Sequence, residues 1–142
     1  MDILLVEDSP GDVRLAQLAF GKSERPVNLH VASDGVEAMA FLRKEGPNIG
    51  APRPQLILLD LNLPRMDGRE LLALIKKDED LRAIPTIVLT ASDSEEDILY
   101  CYRHHANCYI RKPEQWDAFD RVVRHVNEFW LTKAKLPAQR AG

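Results

Sequence analysis

Three segments of this chain are apolar without a break and then stop on a polar residue. Ile3-Leu4-Leu5-Val6 runs into Glu7 and Asp8, Leu56-Ile57-Leu58-Leu59 runs into Asp60, and Ile87-Val88-Leu89 runs into Thr90. A strand that is apolar at every position has no face to show to water, so it must lie in a sheet covered on both sides. Such sheets are parallel and flanked by two layers of helices. Val27-Asn28-Leu29-His30-Val31 and Tyr109-Ile110-Arg111-Lys112 alternate with polar residues and therefore belong at the edges of that sheet.

Strands are predicted over residues 3–7, 27–31, 55–60, 86–90 and 108–111. With right-handed crossovers and the second and fifth strands outermost, the simplest order is 2-1-3-4-5. This is a flavodoxin-like, doubly wound five-stranded parallel α/β sheet with five helices, its crevice lying between strands one and three. Helix starts support the count. Ser9-Pro10-Gly11-Asp12, Asp34-Gly35-Val36-Glu37 and Asp67-Gly68-Arg69-Glu70 each place a capping side chain ahead of an acidic third or nearby position. They precede the apolar sets Val13, Ala16 and Phe20; Ala38, Phe41 and Leu42; and Leu71, Leu74 and Ile75. A fourth helix starts near Ser94 and ends near His105. The fifth carries Trp116, Phe119, Val123, Val126 and Trp130, with Val122 and Phe129 widening its stripe.

At 142 residues there is room for one core and no second folded unit, so one domain is predicted over residues 1–134 with a flexible tail over 135–142. Residues 46–54, with three prolines and two glycines, form a stiff surface loop. A formal charge of -3 with interspersed signs offers no basic stripe for a phosphate backbone, which argues against nucleic acid. Cys101 and Cys108 are not a CxxC pair. With no signal peptide and no apolar run near ~18 residues, the chain reads as cytoplasmic, with no membrane segment.

The winding brings the carboxyl ends of strands one, three and four together, and with them Asp8, Asp60 and Thr90. Lys112 reaches in from strand five on its long stem. Like charges about 4 Å apart repel by roughly 4 kcal/mol at an effective dielectric near 20, so Glu7, Asp8 and Asp60 call for a cation. Hard oxygen ligands with room for water suit Mg²⁺. Asp60 is then placed as a nucleophile toward a phosphoryl group, with Lys112 neutralising the transferring oxygens and the Thr90 hydroxyl binding one of them.

Glu7-Asp8 after strand one, Asp60 after strand three, Thr90-Ala91 after strand four and Lys112-Pro113 after strand five resemble the receiver domains of two-component response regulators, in the right order and over residues 2–132. The resemblance implies that Asp60 accepts phosphate from a histidine kinase. It implies that Mg²⁺ is held by Asp8, Asp60 and the backbone carbonyl of Asn62, with Glu7 supporting through water. It further implies that Thr90, Lys112 and Tyr109 couple phosphorylation to a surface change, and that the bond to Pro113 is cis. Glu7 departs from the aspartate the family often has there. Asp8-Ser9-Pro10-Gly11-Asp12, the proline-rich insert and Asn127-Glu128-Phe129-Trp130-Leu131 look like the stand-alone regulators paired with bacterial and cyanobacterial phytochrome kinases.

The competing readings are a dehalogenase-type phosphatase, a flavodoxin, and a receiver that docks without being phosphorylated. The first expects its aspartyl nucleophile after strand one. The second expects a phosphate cradle where this chain has Glu7, Asp8 and Asp12. The protein is expected to catalyse only its own phosphorylation and dephosphorylation. Tyr100, Tyr102, Phe129 and Trp130 are more aromatic surface than a small monomer leaves bare, which points to a homodimer through the fourth helix, fifth strand and fifth helix.

Overall fold

The structure, a computed structural model, describes residues 1–137. Five parallel strands pair in the order β2-β1-β3-β4-β5, with β1 at Asp2–Val6, β2 at Asn28–Ala32, β3 at Leu56–Leu59, β4 at Thr86–Thr90 and β5 at Cys108–Arg111. The two alternating segments do form the edges. Between them run α1 (Pro10–Gly21), α2 (Gly35–Leu42), α3 (Gly68–Lys77), α4 (Glu95–Arg103) and α5 (Trp116–Val126). Of the expected tail, 138–142 lie outside the described residues, and 135–137 carry no helix or strand.

Successive side chains of a strand point to opposite faces, and the three continuously apolar strands feed two cores in this way. Leu4, Val6, Ile57, Leu59 and Val88 face α2, α3 and α4, whereas Ile3, Leu5, Leu56, Leu58, Ile87 and Leu89 face α1 and α5. Each of these side chains is buried. The helices turn slightly from the expected faces. Ala19, Met39 and Leu72 are buried where Val13, Phe41 and Leu74 are only partly so.

Ser9, Asp34, Asp67 and Ser94 cap their helices by accepting hydrogen bonds from the N–H groups of Asp12, Glu37, Arg69 and Asp97. The last helix departs from the expected stripe. After Val126 the chain widens into a π-helical segment, Asn127–Lys133, closed by the Ala134 N–H donating to the Phe129 carbonyl at 2.8 Å. Because π turns link residues five apart, Leu131 takes the core position beyond Val126, Trp130 is half-buried and Phe129 is left 54% exposed. Trp116, at the start of α5, is also half exposed rather than packed.

Gly68 fixes how closely α3 approaches the end of β3. Its N–H donates to the Leu61 carbonyl at 2.9 Å, and a Cβ there would stand 2.1 Å from the Asp60 carbonyl oxygen. Gly68→Ala is therefore expected to cost about 3 kcal/mol through overpacking against rigid backbone. In urea unfolding the midpoint should fall with the slope unchanged. A midpoint within experimental error of the unaltered protein would show that α3 is free to move away.

Candidate functional site

Backbone hydrogen bonds carry each ladder one residue past its strand, and this places the polar tips. The Glu7 N–H donates to the Ala32 carbonyl at 3.0 Å, Asp60 to Val6 at 3.0 Å, and Lys112 to Thr90 at 2.6 Å. The side chains at these tips are buried although polar: Glu7, Asp60, Thr90 and Lys112 are all below a tenth exposed. Asp8 and Asn62 stand at the rim, exposed.

At the centre lies the Lys112 ammonium. Its Nζ donates to Glu7 Oε1 at 2.5 Å, Asp12 Oδ2 at 2.8 Å and Asp60 Oδ2 at 3.1 Å. Burial alone would lower the lysine, but hydrogen bonds to Asp12 and Glu7 and the charge of Asp60 outweigh it and hold Lys112 well above the ordinary lysine range. Burial pushes the Glu7 carboxyl up to about 7, the charge of Asp60 adds to the rise, and the hydrogen bond from Lys112 opposes it. The other Glu7 oxygen, Oε2, accepts from the N–H groups of Asp8 and Ser9, so the longer acid folds back over its own loop.

Glu7, Asp8 and Asp60 each offer a carboxylate oxygen, and these lie within 4.8 Å of one another. Oxygens on one octahedral cation lie roughly 3 to 4 Å apart, so this hard donor set fits a divalent ion with small adjustments. Asn62 adjoins it, its N–H donating to Asp60 Oδ1 at 3.3 Å. The Thr90 hydroxyl is the one buried side-chain polar atom among the described residues with no hydrogen-bond partner. A group of this kind costs stability unless a ligand satisfies it. Tyr109, half-buried on β5, donates its hydroxyl to the Ser92 carbonyl at 2.8 Å, just beyond Thr90.

Two features differ from the sequence reading. The Lys112–Pro113 bond is trans, there being no cis peptide among the described residues. Trans is the lower-energy form of such bonds, and here the three carboxylates and the Thr90 carbonyl already aim Lys112. Asp12 counts in the sequence as a first-turn acid of α1 and as acid lining the loop after strand one, and the structure adds that it is one of the three partners of Lys112. The signal for this is its position four residues after Asp8, in the first turn of α1.

A sequence profile described as "Response regulator receiver domain" matches residues 3–124. The chain belongs to the response regulator receiver family. This receiver is 47% identical over 136 residues to "Response regulator Rcp1" of Synechocystis sp., covering 96% of this chain and 92% of that protein. The crystal structure of the Mn²⁺-bound form of Rcp1 superposes with a TM-score of 0.94, covering 96% of this chain and 99% of that one. The phosphorylated cyanobacterial phytochrome response regulator RcpA superposes equally well, at 49% identity and a TM-score of 0.94, covering 96% and 98%. The receiver is thus a module of two-component signalling with a divalent-metal donor set. No helix among its described residues is long and apolar enough to cross a membrane.

Without Lys112, the buried carboxylates lose their counter-charge. Lys112→Met should cost about 3 kcal/mol at neutral pH in a chelating buffer, as removal of one member of a buried ion pair does. Glu7, already at about 7, moves higher in the variant because the opposing ammonium is gone. The folded variant therefore takes up this proton at a higher pH than the unaltered protein does, so the deficit should shrink as pH falls toward about 7 and stay level below it, where both carry the proton. Thermal melts across pH will read this, and a deficit that grows on acidification would contradict it.

Proposed function

We propose that this receiver takes a phosphoryl group onto Asp60 from a phosphohistidine of a histidine kinase, and signals by the surface change that follows. The observation carrying this reading is the placement of the Asp60 carboxylate 3.1 Å from the Lys112 ammonium and beside Glu7 and Asp8, at a strand tip where a donor can reach it. One Asp60 oxygen attacks phosphorus, the phosphorus–nitrogen bond of the donor breaks, and the imidazole leaves with that electron pair. Lys112 offsets the negative charge of the transferring oxygens, and the unpartnered Thr90 hydroxyl donates to one of them. Mg²⁺ held by Asp8, Asp60 and the Asn62 carbonyl, with Glu7 in support, supplies further charge neutralisation when bound.

Transfer ends on the protein itself, so its chemistry is its own phosphorylation and the hydrolysis that releases the phosphoryl group to water as inorganic phosphate and restores the carboxylate. The switch runs through Thr90 and Tyr109, whose hydroxyl already reaches the loop that follows Thr90. Its likeness to RcpA favours a phytochrome-type kinase as the donor. Acid lining the loop after β1 argues against a flavin phosphate there, and the nucleophile after β3 argues against a dehalogenase-type hydrolase.

Asp60→Asn should abolish labelling by acetyl phosphate, and chelation of divalent ions should do the same to the unaltered protein, both read by intact mass. Stoichiometric labelling of the Asn variant would place the acceptor elsewhere.

A homodimer through α4, β5 and α5 is the second part of the proposal. Leu99 and Tyr102 of α4 are each 49% exposed, and Phe129 lies beside a groove of about 250 Å³ lined by Ile110, Val122, His125, Val126 and Trp130. Tyr100 does not join this surface, since it packs against the core and donates its hydroxyl to the Arg69 carbonyl. Sedimentation at micromolar concentration should give a dimer that Phe129→Asp converts to monomer. A monomer with and without phosphorylation would end that assignment.

A further inference from the structure

A chain of polar contacts runs from the start of α3 to β5 and uses no residue assigned above to metal or phosphate. Arg69, in the first turn of α3, grips the Asp97 carboxylate with two prongs, Nε to Oδ1 and Nη2 to Oδ2, both at 2.7 Å. Its third nitrogen reaches Asp67 at 3.0 Å. Asp97 lies in the first turn of α4, only 15% of its side chain is exposed, and its Oδ2 also accepts from the Ser92 hydroxyl at 2.6 Å. The Ser92 carbonyl in turn accepts from the Tyr109 hydroxyl. Hydrogen bonds from Arg69 and Ser92 hold Asp97 below the ordinary carboxylate range, so the clamp stays charged at neutral pH.

Both ends of this chain are anchored near the acceptor. α3 begins at Gly68, which is packed against the Asp60 carbonyl, and Ser92 follows Thr90 by two residues. A charged, two-pronged pair is stronger and more directional than a neutral hydrogen bond, so it fixes distance as well as supplying attraction. Apart from an exposed ion pair of Asp93 with Arg111 at 3.7 Å, the side chains of the loop after β4 make no other long-range tie among the described residues. Its neighbours Ala91, Asp93 and Ser94 are exposed, and the remaining side-chain bonds of Ser92 and Ser94 are local turns of about 3.3 Å.

We infer that Arg69 is a positioning residue for the phosphoryl site: by clamping Asp97 it sets the loop that leaves Thr90 and carries Ser92 at a fixed distance from Asp60 and holds Tyr109 onto that loop. This rests on Asp60 being the phosphoacceptor. The clamp acts on the oxygens of an incoming phosphoryl group through Thr90, and it leaves the metal donors Glu7, Asp8 and Asp60 untouched. Breaking it therefore separates two affinities that a general loosening of the fold lowers together.

Beryllofluoride, a phosphoryl mimic, is the probe, titrated calorimetrically at saturating Mg²⁺, with Mg²⁺ alone titrated separately. Arg69→Met and Asp97→Asn should each weaken beryllofluoride binding about tenfold, within the usual range for coupling between linked sites. Mg²⁺ affinity should be unchanged. The double variant should be no weaker than either single one, the charge-swapped pair Arg69→Asp with Asp97→Arg should regain part of the loss, and tyrosine-ring NMR should show Tyr109 released in both single variants. Undiminished beryllofluoride affinity, additive effects in the double variant, or an equal fall in Mg²⁺ affinity would each overturn the assignment. If the unaltered protein binds Mg²⁺ but no beryllofluoride, the phosphoacceptor reading itself fails, and this one with it.

Discussion

One buried ammonium holds the site together. Lys112 contacts Glu7, Asp12 and Asp60, from two strand tips and a helix start that lie up to 105 residues from it along the chain. None of these carboxylates is tolerable inside a protein without a counter-charge, and none of them is close to another in sequence except Glu7 and Asp12. The fold exists in this form because the apolar strands bring them together, and the cation makes that proximity affordable. A divalent ion would take up part of the carboxylates' negative charge, and the oxygens of a phosphoryl group would present the lysine with charge of the same sign as the carboxylates do.

The sheet supplies the rigidity this exchange needs. Strand tips are placed by ladder hydrogen bonds, and the approach of α3 is set by Gly68, so Asp60 has little freedom to retreat from its neighbours. Around this rigid centre sits a loop whose position depends on side chains. The segment after β4 is tied by the Arg69–Asp97 pair and by Tyr109, and Thr90 at its root has a hydroxyl with nothing to bind. A fixed carboxylate beside an unsatisfied hydroxyl, with a side-chain-held loop leaving it, meets the physical requirement for a switch, because a ligand shifts an equilibrium only by what it binds differently in the two states.

Strand order was legible because it followed from one property, the contrast between continuously apolar and alternating segments. Asp8, Asp60, Thr90 and Lys112 were legible because each ends such a segment. Asp12 and the Arg69–Asp97 clamp were not, since their partners are set by how helices α1, α3 and α4 are rotated and spaced, and helix rotation leaves only a blurred trace in periodicity. Met39, Leu72 and Ala19 show the same blur on the buried side. The π-helical widening after Val126 escaped notice for a related reason: an apolar stripe at spacings of three and four fits Trp130 into the core, whereas spacing of five puts Leu131 there instead.

Because the whole arrangement converges on a single carboxylate, the most direct measurement is chemical trapping of the acyl phosphate in the unaltered protein. After phosphorylation by a histidine kinase, borohydride reduction should convert residue 60 alone from aspartate to homoserine, read by peptide mass spectrometry. Homoserine at Asp8, Asp12 or any other acid, with Asp60 intact, would contradict the assignment.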